Sequence, residues 1–212
     1  GVVINGQRYK TLVGTPQGGN LSPLLSNIML NELDKELENR GLRFVRYADD
    51  RVITVGSEAA AKRVMHSISR YVEKRLGLKV NMTKTKNVRP SKLKYLGFGF
   101  WKSSEGWKSR PHQDSVQSFK RKLKKLTARK WSIDLDNRIE RLNWVIRGWI
   151  NYFSMTNMKS VMENIDERLR TRIRVIIWKQ WKKKSRRLWG LLKLGVPKWI
   201  ADKVSGWGDH YQ

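Results

Sequence analysis

The sequence predicts an α+β fold in two parts: helices with a mainly antiparallel sheet first, then a strongly basic all-helical region. Three observations carry this. Apolar residues recur at helical spacing over 22–40 and 57–76, and these stretches alternate with short strand-like runs closed by turn residues. From Pro111 to about Leu192 only helical periodicity is visible. The charge changes with it, since residues 111–190 hold 21 Lys or Arg against 7 Asp or Glu.

The elements follow in order. The opening "GVVINGQRYKTLVG" is expected as a hairpin turning at Asn5-Gly6, and a start in mid-strand without Met is expected of a piece of a longer protein. Thr15 to Asn20 is a Gly/Pro-punctuated loop. Ser22 is the expected N-cap, with Pro23 at the first helical position and Leu25, Ile28, Met29, Leu33 and Leu37 on one face; Gly41 stops the helix. Residues 42–55 read as strand, turn, strand, and 57–76 as an amphipathic helix. A short strand and loop over 78–88 and a hairpin closed near Glu105-Gly106 complete a first domain, 1–110. Three helices are expected in 111–192, on Val116/Phe119/Leu123, on Ile139 through Phe153 and on Val161 through Ile177. Residues 193–212, with Gly195, Pro197, Gly206 and Gly208, are expected to be a loosely ordered tail.

Composition narrows function. The 212 residues carry 45 Lys and Arg against 18 Asp and Glu, a formal net charge of +27. Self-repulsion on that scale is relieved by a polyanion, and nucleic acid is the commonest one. No apolar run approaches the roughly 20 residues of a membrane span, so no membrane partner is expected. No signal peptide is visible, and the absence of cysteine excludes disulfides and thiolate metal sites. A cytoplasmic (bacterial) or organellar location is expected, not secretion.

The chemistry-bearing stretch is "FVRYADDRVITV", residues 44–55, where Asp49 and Asp50 are adjacent in a hairpin of a basic chain. An ordinary solvated turn would explain one aspartate. Two on a rigid hairpin also suit a hard divalent cation such as Mg²⁺, which takes carboxylate oxygens and shares its shell with substrate phosphates. His66, His112 and His210 lack ligand spacing and are read as non-catalytic.

Four segments in order, "TPQGG" (15–19), "YADD" (47–50), "KVNMTKTK" (79–86) and "YLGF" (95–98), followed by a basic helical region with "GWINYF" (148–153), resemble the reverse transcriptase family. Within it the likeness is to group II intron-encoded reverse transcriptases, or maturases. The resemblance implies that 1–110 is the C-terminal part of a palm and 111–192 the thumb, or maturase X, domain. It implies that Asp49 and Asp50 are the adjacent catalytic aspartates of a two-Mg²⁺ site, with Asp49 the main ligand. Tyr47 and Ala48 would abut the primer end, and Gln17, Gly18, Gly19, Ala48 and Lys84 would contact the incoming dNTP. Leu96 and Gly97 would form the primer grip. Solvated lysine for Lys84, a β-bulge for Gly97 and a plain loop for "TPQGG" remain the alternatives. The family's third carboxylate comes from upstream of "TPQGG". The first acidic residue here is Glu32, and Glu32 and Asp34 read as solvent-facing helix residues. The chain alone is therefore expected to lack one catalytic Asp and the fingers. An N-terminal fingers/palm half would be a partner, and no endonuclease signature follows the thumb.

Cations form the other constellation. Arg168, Arg172, Lys179, Lys182, Lys183, Lys184, Arg186 and Arg187 are the expected nucleic-acid-binding residues, interleaved with tryptophans that can stack on bases. Trp144, Trp149 and Trp178 are expected in the core. The resemblance implies group II intron RNA, an RNA template-DNA primer duplex and dNTP as partners, and RNA-directed DNA synthesis with splicing and mobility support as activities. An RNA-binding module without polymerase activity is one alternative. A retron-like or defence-associated reverse transcriptase is another.

Overall fold

The computed structural model describes residues 2–9 and 19–207. The chain divides into two compact units between Arg89 and Pro90, upstream of the expected 110/111 boundary. Helices and small antiparallel sheets are mixed throughout, the α+β composition anticipated. The strands form three separate small sheets among the described residues, not one palm sheet.

In the first unit, β1 (Val2–Ile4) and β2 (Gln7–Tyr9) pair through Asn5-Gly6. Both turn residues have positive φ, 52° and 81°, which is the signature of a type I′ turn and the reason for Asn-Gly there. Helix α1 (Ser22–Asn39) begins one residue earlier than expected: Leu21, not Ser22, is the N-cap. Strands β3 (Arg43–Tyr47) and β4 (Asp50–Thr54) form the central hairpin. Helix α2 (Glu58–Arg75) starts at Ser57, whose hydroxyl accepts from the Ala60 N–H at 3.2 Å. Leu33 and Leu37 of α1 bury against Ile68 and Val72 of α2, with Phe44 and Ile53 covering them from the hairpin. No strand forms over 78–88. Instead the Asn81 side chain accepts from the backbone N–H groups of Thr83 and Lys84, a local turn that competes with extended pairing.

The second unit opens with a 3₁₀ turn (Pro90–Lys92) and a three-stranded meander: β5 (Lys94–Tyr95), β6 (Phe98–Ser103) and β7 (Gly106–Pro111). Helices α3 (Gln113–Leu126), α4 (Leu135–Tyr152) and α5 (Lys159–Gln180) follow, matching the three periodic stretches. Phe119, Leu123, Leu142 and Ile165 form their shared core, and Trp149 stacks on Phe119 at 4.5 Å. The stretch expected as a loose tail contains α7 (Lys198–Ser205), packed on α6 (Lys184–Lys193), with Ala201 and Ser205 fully buried. Pro197 and Gly195 punctuate the turn between these helices and do not dissolve them. No helix among the described residues is long and apolar enough to cross a membrane.

Candidate functional site

The β3–β4 hairpin fixes where the two aspartates point. Its register pairs Tyr47 with Asp50, leaving Ala48 and Asp49 as the two turn residues. Ala48 has φ 54° and Asp49 does not have positive φ, so only the first turn position is left-handed, as in a type II′ turn. Glycine is the usual occupant there, and a side chain at that φ is strained. Both aspartates are exposed, and neither carboxylate is hydrogen-bonded or ion-paired to another described residue. The strands are half-exposed. Phe44, Arg46, Arg51 and Ile53 face inward, while Val45 and Tyr47 remain 61% and 65% exposed on the outer face.

The inward face carries the residues that sequence reasoning missed. Arg46 and Arg51 lie directly opposite each other, a like-charge pair that would destabilise the hairpin. Asp34 of α1 resolves it: Oδ2 accepts from Arg46 Nε at 2.7 Å and Oδ1 from Arg51 Nη2 at 2.6 Å. Asp34 is thus a half-buried bridge and not the solvent-facing residue expected, whereas Glu32 does stay exposed, paired with Lys35. Burial lowers the Arg51 pKa from its ordinary value, against the opposing charge and hydrogen bond of Asp34. The missed signal was available in "RYADDR", because assigning a two-residue turn puts the arginines opposite one another.

The remaining expected contacts are dispersed. Gln17 and Gly18 lie outside the described residues. Gly19 precedes α1, and its carbonyl accepts from the Ser22 N–H at 3.0 Å. Lys84 is exposed, with its backbone held in the Asn81 turn. Leu96 and Gly97 belong to the second compact unit, as the two residues of the β5–β6 turn. Their φ values, 49° and 79°, again mark a type I′ turn, not the β-bulge considered for Gly97. The turn is tightly held. The Gly97 carbonyl accepts from His112 N–H and from Ser115 Oγ, each at 2.9 Å, and Tyr152 Oη donates to the Leu96 carbonyl at 2.8 Å. A Cβ on Gly97 would lie 3.1 Å from Ser115 Oγ and 3.5 Å from the Phe153 ring. "YLGF" therefore packs on "GWINYF" within one unit. Beside it runs an open groove of about 930 Å³ lined in part by Lys94, Arg121, Lys122, Trp144 and Tyr152.

The basic residues separate into two groups. Arg168, Lys179, Lys182, Lys183, Lys184 and Arg186 are exposed. Arg168 shares a recess of about 200 Å³ with Lys120 and Lys124. Arg172 and Arg187, expected as nucleic-acid contacts, are committed to the fold instead. Arg172 donates to the carbonyls of Lys124 and Thr127 and to the Thr127 hydroxyl at the end of α3. Arg187 donates to the Trp181 and Trp207 carbonyls and lies 4.7 Å over the Trp178 ring. Carbonyls at helix ends lack intrahelical partners, and guanidinium forks satisfy several at once. Trp149 and Trp178 are packed inside as expected, but Trp144 is 74% exposed and faces solvent. It lines the groove rather than the core.

The chain thus carries two exposed carboxylates on a braced turn and exposed cations on a helical bundle. Residues 2–100 match the family model for "Reverse transcriptase (RNA-dependent DNA polymerase)", and residues 116–195 match that for "Group II intron, maturase-specific domain". Over 72 residues, 33% of the chain, the sequence is 42% identical to the group II intron-encoded protein LtrA of Lactococcus lactis subsp. cremoris. It is 28% identical over 166 residues, 51% of the chain, to a Saccharomyces cerevisiae protein named for COX1/OXI3 intron 2. Against Protein YkfC of Escherichia coli it is 35% identical over 107 residues, 34% of the chain. The matches span 12%, 19% and 28% of these relatives' own lengths. A reverse transcriptase match followed in the same chain by a group II intron maturase match supports a group II intron reverse transcriptase/maturase.

Proposed function

We propose that this chain supplies the aspartate hairpin of an RNA-directed DNA polymerase together with the RNA-holding surface of a maturase. The observation that carries the reading is the Asp49–Asp50 pair, exposed and unpaired beside arginines that are themselves engaged by Asp34. The pair fits Mg²⁺, which is commonly bound by one or two carboxylates plus substrate phosphates. Among the described residues no group of three or more His, Asp or Glu converges, so these two would share the ion with ligands from elsewhere. When bound, Mg²⁺ supplies positive charge against the phosphate oxygens of the reacting nucleotide.

The chain's own residues do the rest. Asp49 and Asp50 hold the ion from a short, braced turn, with Asp49 the main ligand. Gly19, with Gln17 and Gly18 before it, offers backbone to the nucleotide where a Cβ would obstruct. Lys84 places a point charge for the triphosphate. The Leu96–Gly97 turn contacts the primer strand. In the reaction the primer 3′-hydroxyl loses its proton to water, its oxygen bonds to the α-phosphorus of a dNTP, and the bond from that phosphorus to the bridging β-phosphate oxygen breaks, releasing pyrophosphate. Residues 1–110 act as part of the palm and the basic helices from 111 as the thumb, which holds the template-primer duplex and intron RNA. The exposed cations neutralise phosphates, and Trp144 and Trp189, 74% and 60% exposed, offer faces for unpaired bases.

A binding module without polymerase activity is the second reading, favoured by the number of free cations on the bundle. Primer extension on an RNA template by the longest natural protein containing this chain separates the two. Asp49→Ala is expected to abolish extension while leaving intron RNA affinity within about twofold. Undiminished extension by Asp49→Ala would refute the catalytic reading.

A further inference from the structure

We propose that Arg46 is the positioning residue of the Asp49–Asp50 turn, anchored to α1 by Asp34 and Asn27 and gripping the Ala48 carbonyl. The inference rests on the reading of Asp49 and Asp50 as metal-holding carboxylates.

One guanidinium makes all the connections. Arg46 Nε donates to Asp34 Oδ2 at 2.7 Å. Its Nη1 donates to Asn27 Oδ1 at 2.8 Å and to the Ala48 carbonyl at 3.1 Å. Ala48 is the strained residue, at φ 54°. A strained backbone persists only where its surroundings over-determine it, and a two-residue turn on a two-stranded hairpin is otherwise weakly held. The Arg46 fork supplies the missing constraint, because it ties the turn to a helix whose Leu33 and Leu37 are in the core.

The same arrangement keeps the carboxylates free. Arg46 is three residues from Asp49, and Arg51 is next to Asp50. Without Asp34, either cation could fold over the aspartates. With it, their side chains are only 19% and 12% exposed and both lie within ion-pair distance of a third carboxylate. These two arginines are therefore not phosphate contacts, despite their place in a basic protein.

The test is amide NMR of the ¹⁵N-labelled chain and its Arg46→Gln, Arg46→Lys and Asp34→Asn variants, without metal and then titrated with Mn²⁺. In the parent the Asp49 and Asp50 amides are expected to be ordered, with order parameters near 0.85, and to broaden first on Mn²⁺ addition. In Arg46→Gln the order parameters should fall toward about 0.6. Mn²⁺ affinity should weaken about tenfold, as for the loss of a group that orients a metal ligand. The sign is diagnostic. Removing a cation beside a metal site would otherwise strengthen Mn²⁺ binding. Arg46→Lys keeps the charge without the fork and should resemble Arg46→Gln. Asp34→Asn should weaken Mn²⁺ in the same direction. Should Arg46→Gln fail to fold, Asn27→Ala removes one anchor only and should give a smaller loss of the same sign. Unchanged order parameters with equal or tighter Mn²⁺ binding would overturn the proposal. A parent chain whose Asp49 and Asp50 amides ignore Mn²⁺ would overturn the metal reading, while the metal-free order parameters would still decide whether Arg46 braces the turn.

Discussion

The two compact units use arginine in opposite ways. In the first, Arg46 and Arg51 both pair with one carboxylate, Asp34, and two other carboxylates stay free. In the second, Arg138, Arg172 and Arg187 are satisfied mainly by backbone carbonyls at helix ends, and the result is that lysines nearby stay free. A net charge of +27 therefore does not translate into uniform nucleic-acid contacts. Guanidinium forks suit the interior because one group satisfies several acceptors, whereas lysine, a flexible point charge, is left at the surface.

The largest effect that could break this comparison concerns Arg138, only 2% exposed, which donates to the carbonyls of Leu126, Ala128 and Trp131. Arg138→Ala is expected to destabilise the second unit by about 3 kcal/mol, read by urea denaturation, since three half-buried carbonyls lose their shared donor. A loss of RNA affinity without a loss of stability would mean that Arg138 is not a structural cap. Next come the tryptophans. Trp149 is only half-buried, so Trp149→Ala should cost about 2–3 kcal/mol, less than a fully buried aromatic, while Trp144→Ala should stay within about 0.5 kcal/mol. Equal costs would contradict the assignment of Trp144 to the groove. Gly97→Ala should cost about 1–2 kcal/mol, from positive φ and the crowding by Ser115, again by denaturant midpoint. The smallest effect is the Lys94–Asp114 tie, 2.8 Å long and exposed. Its hydrogen bond and charge hold the Asp114 carboxyl below the usual range. The tie is therefore fully present above the ordinary carboxylate pKa and is lost as pH falls through the lowered one. Thermal midpoints of parent and Lys94→Ala should converge in strong acid and differ slightly at neutral pH.

Periodicity located the helices well, because Leu33/Leu37, Ile68/Val72 and Phe119/Leu123 are the buried positions of their own stripes. The Asn5-Gly6 turn was legible from residue type alone. The Leu96–Gly97 turn was not, since leucine at positive φ has no local preference and is held by His112, Ser115 and Tyr152 from farther along the chain. Helix α7 was missed because Gly195 and Pro197 suggested looseness, although its burial of Ala201 depends on α6. At the candidate site the aspartates were readable and their brace was not. Asp34 looked like an exposed helix residue until the hairpin register placed two arginines beside it. The same limit applied to Arg172 and Arg187, because sequence shows a cation but not the carbonyls it meets.

The proposed function gives the hairpin carboxylates and the bundle lysines separable duties. Intron RNA binding measured across a salt series, with Asp49→Ala beside the triple change Lys182→Gln, Lys183→Gln and Lys184→Gln, tests it directly. Asp49→Ala is expected to keep the parent's affinity and salt slope. The triple variant is expected to bind more weakly, with a slope reduced by about two to three, at roughly 0.7–0.9 for each phosphate no longer neutralised. An unchanged slope in the triple variant, or an equal loss in Asp49→Ala, would contradict the division of labour between the two units.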